Sequence, residues 1–135
     1  MKVVIDTNVF VSGLVNPNGY PGRIVDLLRS GALDVVVDDR ILAEYDDVLR
    51  REKFRAYFSK QDGEDIIEFL RKDAYRTTSH RVILDMPDPG DVPFLEIALA
   101  ESVPLITGNK KHYPKDKRAG CQVLTPEEFL RTFFF

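Results

Sequence analysis

The chain has 135 residues, 44 % hydrophobic and 30 % charged, which suits one domain over residues 1–135 that buries a core without disulfides or structural metal. Its formal net charge of −3 excludes the overall positive field of many nucleic-acid binders, so any such binding rests on a local patch. Cys121 is the sole cysteine, which excludes an internal disulfide and zinc-type Cys/His spacing, and no apolar stretch approaches the roughly 20 residues of a membrane span. The apolar start is interrupted by Asp6 and Asn8, unlike a secretory signal, so a cytoplasmic location is expected.

Val3-Val4-Ile5 is a β-branched run without polar alternation, the pattern of a parallel strand covered on both faces. It ends on Asp6, which places that carboxylate at the carboxyl edge of the sheet, where ligand crevices form in open α/β folds. Thr7 or Asn8 can cap a short helix from Val9 to Val15, and Asp6 alone reads equally well as a turn residue. The Asn16 to Gly22 loop precedes a second helix, with Pro21 early in it and Gly31 as its C-terminal stop. Leu33 to Val37 is a second strand that closes on Asp38 and Asp39, both good caps for the next helix.

That helix, about Arg40 to Lys53, carries Ile41, Tyr45 and Val48 on one stripe, and Glu44 falls on the same face. Burying an unpartnered carboxylate costs roughly several kcal/mol, so Glu44 either meets an arginine or serves a function. The basic stretch Arg50 to Lys60 carries Phe54, Tyr57 and Phe58 and reads as a helix end or as a phosphate-docking segment. Asp62 to Tyr75 predicts another amphipathic helix, and Arg81 to Leu84 reads as a short strand or an extended connection.

The loop Asp85 to Asp91 holds Asp85, Asp88 and Asp91 among prolines and a glycine, then enters a helix from Val92 to Ala100 that is apolar nearly all round. Asp91 therefore stands at the N-terminus of a buried helix, as a cap, as a metal ligand, or as both. Val103 to Thr107 is a third strand leading to Asn109. The basic run after it, with Lys110, Lys111, Lys115, Lys117 and Arg118, reads either as a solvated loop or as a surface that holds nucleic-acid phosphates near the acids. Gln122 to Thr125 is a last strand, and Thr125 with Glu128 opens the final helix as a capping box. Phe133 to Phe135 either pack on the domain or form an apolar patch.

Strands alternate with helices throughout, which gives a three-layer α/β/α architecture with a mainly parallel central sheet. If Asp6, Glu44, Asp91 and Asn109 converge at its carboxyl edge, they make an oxygen site suited to Mg2+ or Mn2+. Phosphodiester hydrolysis is the reaction such a site serves best. No P-loop, G-x-S-x-G elbow or H-E-x-x-H motif is present to support another chemistry.

Four stretches, Val4-Ile5-Asp6-Thr7-Asn8-Val9-Phe10, Ile41-Leu42-Ala43-Glu44-Tyr45, Asp88 to Glu96, and Leu105-Ile106-Thr107-Gly108-Asn109, together resemble the PIN-domain nucleases. They are most like the VapC-like branch known as toxins of toxin–antitoxin pairs. The resemblance implies a PIN-like fold and an Mg2+- or Mn2+-dependent endoribonuclease cutting single-stranded RNA, often a homodimer, held inactive by a separately encoded antitoxin. It puts the catalytic and metal-binding acids on Asp6, Glu44 and Asp91, with Thr7 or Asn8 orienting Asp6. The family commonly has aspartate where this chain has Asn109, and an amide keeps a carbonyl acceptor but drops the charge. Asp88 is the carboxylate placed to compensate. The same departure motivates an alternative, a catalytically weak or inactive RNA-binding or protein-docking module, and DNA stands beside RNA as a substrate because nothing in the sequence identifies a reader of the 2′-hydroxyl.

Overall fold

A computed structural model describes residues 1–78, 81–83 and 85–135. Five parallel strands, β1 (Lys2–Ile5), β2 (Asp34–Val37), β3 (Tyr75–Arg76), β4 (Leu105–Ile106) and β5 (Val123–Leu124), form one sheet in the order β3-β2-β1-β4-β5. Val3, Val4 and Ile5 are all fully buried. Successive side chains point to opposite faces of a strand, so β1 is covered on both sides and helices make the outer layers. Six α-helices do this: α1 (Thr7–Val15), α2 (Tyr20–Arg29), α3 (Asp39–Leu49), α4 (Lys60–Asp73), α5 (Val92–Glu101) and α6 (Pro126–Phe133).

Local chemistry sets these boundaries. Asp38 caps α3 by accepting from the Ile41 N–H at 2.9 Å, and Thr125 and Glu128 form the reciprocal capping box of α6. Gly31 follows α2 with φ of 84°, the left-handed conformation that ends many helices. Gly22 is required by close approach, since a Cβ there would lie 2.0 Å from the Pro17 carbonyl oxygen. α5 lies across β1, β2 and β4, consistent with its nearly all-apolar surface.

Several expectations change: the N-cap of α1 is Asp6 rather than Thr7 or Asn8, and α3 ends at Leu49 rather than Lys53. Tyr75, expected as the end of a helix, instead pairs with Val36 as part of edge strand β3, because α4 stops at Asp73 and Ala74 turns extended. The stretch Arg81 to Leu84, expected as a strand or an extended connection, lies partly outside the described residues; Arg81–Ile83 are not in a strand, which leaves the connection. Instead the Ile83 N–H donates to Glu96, a buried acid on α5 that also pairs with Arg40 at 2.7 Å. The terminal phenylalanines divide their roles: Phe133 and Phe134 both approach buried Phe129, with ring centroids at 5.0 and 5.8 Å, whereas Phe135 is 66 % exposed.

The order of strands places β1 at the centre. Its neighbours, β2 and β4, are reached by connections running in opposite directions, so the carboxyl end of β1 is the switch point at which α/β sheets open a crevice.

Candidate active site

Asp6 leaves β1 at that switch point. Its N–H donates to the Ile106 carbonyl at 2.8 Å, and the residue is only 5 % exposed. Two hydroxyls donate to the same carboxylate oxygen, Oδ2: Thr107 at 2.9 Å from the end of β4 and Tyr113 at 3.1 Å from the loop beyond. Arg118 holds that loop by donating to the Tyr113 carbonyl at 2.7 Å. Burial pushes the Asp6 carboxyl above its ordinary range, against the two hydroxyls and the Asn8 backbone, which favour the ionised form.

Asp91 arrives at the start of α5 through the short turn Pro89–Asp91. It makes no side-chain cap to that helix, and its Oδ2 is buried without a hydrogen-bond partner among the described residues. A carboxylate oxygen in that position is costly unless something positive meets it. Burial, joined by the negative charge of Asp6, pushes the Asp91 carboxyl up to about 6.

Glu44, half-buried on α3, accepts a hydrogen bond from the Thr7 hydroxyl and feels the charge of Asp6, but it lies outside the group of Asp6, Asp91 and His112 whose ligand atoms lie within 4.8 Å of one another. The next residue, Tyr45, is buried and donates its hydroxyl to the Ile5 carbonyl, with its ring edge-on to Phe10 at 4.9 Å. That anchor ties α3 to the end of β1. Burial raises the Glu44 carboxyl, Thr7 opposes the rise, and the charge of Asp6 adds to it. No cation lies within ion-pairing distance of Glu44 among the described residues; Arg51, the nearest in influence, pairs with Asp47 at 2.9 Å.

The remaining expected residues are distributed as follows. The Thr7 side chain serves Glu44 rather than Asp6, and the Asn8 side chain accepts from the Gly108 N–H at 2.9 Å, so Asn8 reaches Asp6 only through its backbone. Asp88 caps the Pro89–Asp91 turn by accepting from Gly90 at 2.8 Å. Asn109 is exposed, and its side-chain oxygen accepts from the Lys111 N–H at 3.1 Å, capping the turn Lys110–His112. In the basic loop, Lys110 pairs with Glu128 at 3.1 Å, Lys117 with Asp85 at 2.6 Å, and Arg118 holds Tyr113. Lys111 and Lys115 are exposed and make no ion pair among the described residues.

Sequence reasoning missed two residues. Tyr113 donates to Asp6, and His112 brings a ligand atom within 4.8 Å of ligand atoms on both Asp6 and Asp91. His112 sits inside a run of lysines, where composition shows charge but not direction; only the turn reveals it.

Two carboxylates share this crevice with an imidazole at its rim, and one carboxylate oxygen lacks a partner among the described residues. The donor set fits a divalent cation, which favours the ionised acids that burial and mutual repulsion disfavour.

Comparison with known proteins bears on the fold and the family. An uncharacterized protein of Methanocaldococcus jannaschii is 32 % identical over 148 aligned positions, covering 98 % of this chain and 92 % of the relative. Among solved structures, VapBC-1 from nontypeable Haemophilus influenzae is similar with a TM-score of 0.61 at 18 % identity, over 94 % of this chain and 99 % of that one. VapBC2 from Rickettsia felis, solved bound to a DNA fragment from its promoter, is similar with a TM-score of 0.59 at 15 % identity, over 93 % and 98 %. A family model of the PIN domain matches residues 2–111, a span that takes in all four stretches carrying the acids and Asn109, and the chain therefore belongs to the PIN-domain family.

Proposed function

We propose that this chain is a metal-dependent endoribonuclease that hydrolyses phosphodiester bonds of single-stranded RNA. The observation that carries the reading is the buried Asp91 Oδ2, unpartnered among the described residues, beside the buried carboxylate of Asp6. Asp6, Glu44 and Asp91 would hold a Mg2+ or Mn2+ ion, with Asp88 and Asn109 as further oxygen donors at the rim. Such an ion, when bound, acidifies water and offsets charge that builds on the scissile phosphate.

The protein's own groups do the positioning. Thr107 and Tyr113 fix the Asp6 Oδ2 edge, which leaves Oδ1 as the ligand atom. Thr7 holds Glu44, and burial keeps the Tyr113 hydroxyl protonated as a donor by raising its pKa far above the ordinary phenol value. Exposed and free of ion pairs among the described residues, Lys111 and Lys115 would hold RNA phosphates.

The fold likeness to VapBC proteins supports a toxin role, in which a separately encoded antitoxin restrains the nuclease and the toxin itself pairs as a homodimer. In this reading residues 1–135 form one PIN-like nuclease domain acting in the cytoplasm. Among the described residues no helix is long and apolar enough to cross a membrane.

Incubating the purified chain with end-labelled single-stranded RNA and Mn2+ tests the reading. Cleavage that is removed by a chelator and by either Asp6→Asn or Asp91→Asn, with the circular dichroism spectrum retained, is the expected result. Undiminished cleavage by both variants refutes it. A second reading, an RNA-binding or docking module of weak or no activity, is favoured by Asn109, whose amide is spent on Lys111. RNA retained without cleavage, and no metal binding at millimolar Mn2+, is the outcome that reading expects.

A further inference from the structure

We propose that His112 is a direct ligand of the divalent cation, supplying a nitrogen donor beside the Asp6 and Asp91 carboxylates. The inference rests on the metal-centred reading above and deepens it.

Three independent observations meet at this residue. The first is distance: His112 Nδ1 lies 3.7 Å from Asp91 Oδ2. Two ligands of one ion with bonds of about 2.1 Å lie roughly 3–4.2 Å apart, depending on whether they are adjacent or opposite. The second is that this same Oδ2 is the buried atom without a hydrogen-bond partner among the described residues, so the imidazole stands beside the oxygen that most needs a cation.

The third is the use made of Asn109. Its side-chain oxygen caps the Lys110–His112 turn through the Lys111 N–H, and its carbonyl accepts from the His112 N–H at 3.2 Å. Asn109 thus builds the turn that carries His112 toward Asp91. Asp88, the other candidate for a compensating oxygen, already uses Oδ1 on Gly90. Asp6, Asp91 and His112 together offer ligand atoms within 4.8 Å of one another, a spacing that a small contraction brings to coordination distance.

Ligand chemistry gives the consequence. Magnesium takes oxygen donors and water; manganese shares that preference but, at the weak end of the transition series, accepts an imidazole nitrogen more readily than magnesium does. The site should therefore bind Mn2+ more tightly than Mg2+, and His112 should account for much of that preference.

Electron spin-echo spectroscopy of the wild-type chain loaded with Mn2+ reads the bond directly, through coupling of the metal to the imidazole nitrogen. The expected result is a nitrogen coupling in the wild type that is lost in His112→Gln. The same substitution should weaken Mn2+ binding at least about tenfold, measured calorimetrically, with a much smaller effect on Mg2+. His80, the chain's other histidine, is unchanged in the variant, so a coupling that survives the substitution overturns the proposal. Mn2+ bound to the wild type without nitrogen coupling overturns it too, while leaving the metal-centred reading intact. Absence of Mn2+ binding overturns both. Should His112→Gln fail to fold, His80→Gln decides instead: a coupling retained leaves His112 as the sole imidazole and supports the proposal, and a coupling lost overturns it.

Discussion

Tyr45 donates its hydroxyl to the carbonyl of Ile5, and since Tyr45 follows Glu44 while Ile5 precedes Asp6, one buried bond couples the positions of two carboxylates. The acids arrive on different elements, a strand end and a helix face. Edge-on packing of the Tyr45 ring against Phe10 ties α1 to the same contact.

Tyr45→Phe keeps the ring and removes the hydroxyl, leaving the Ile5 carbonyl short of a donor. The variant should lose about 1–3 kcal/mol of stability in urea titration and should cleave RNA more slowly, because α3 is no longer tied to β1. Wild-type stability would show that the bond does not hold the site.

Thr7→Val separates positioning from folding. Thr7 is buried and its hydroxyl serves Glu44, so the branched shape is preserved while the carboxylate loses its donor. Cleavage should fall by about tenfold or more with near-native thermal stability, by analogy with the loss of groups that orient metal ligands. Unchanged rates would assign Thr7 to packing alone.

The acids also make stability depend on pH. Asp91 is raised from 3.8 to about 6 in the fold, so between those values the native state holds more protons than the unfolded chain. The stability this group contributes is complete below the unfolded value and is lost as pH rises through about 6. Asp6 and Glu44 are raised as well and add in the same direction. In the absence of divalent metal, thermal melts should show Asp91→Asn gaining on the wild type from pH 5 to pH 7.5. Added Mn2+ should raise the wild-type melting temperature more at pH 7.5 than at pH 5, since it stabilises the ionised acids. An equal effect of metal at both pH values would contradict the shared-site account.

The lysines of the loop after β4 should not be equivalent. Lys111→Ala and Lys115→Ala should weaken RNA retention and flatten its salt dependence by about 0.7 in logarithmic slope for each phosphate no longer neutralised. Lys117→Ala should do less, because Lys117 is engaged with Asp85. Equal effects from all three would mean that the ion pair opens on RNA.

Much of this arrangement is legible in the sequence. The β-branched runs ending at Ile5 and Val37 mark buried parallel strands, and Glu44 is conspicuous as an acid on an apolar stripe. β3 escapes such a reading because it is two exposed residues long at the sheet edge, with no apolar pattern to separate Tyr75 from the preceding helix. Tyr113 and His112 escape for another reason. Their approach to Asp6 and Asp91 depends on a turn capped by Asn109 and on a loop held by Arg118, and neither leaves a period in the sequence. The departure at Asn109 is visible, but its use as a cap is not, because a side-chain oxygen can serve a backbone N–H and a metal equally well.

Anomalous diffraction from a crystal soaked in Mn2+ shows whether Asp6, Glu44 and Asp91 converge on one ion. A manganese peak bounded by the Asp6 and Asp91 carboxylates, with Glu44 facing it, is the expected result. A crystal at saturating Mn2+ whose only peaks lie elsewhere, with Asp91 Oδ2 still facing no cation, would contradict it.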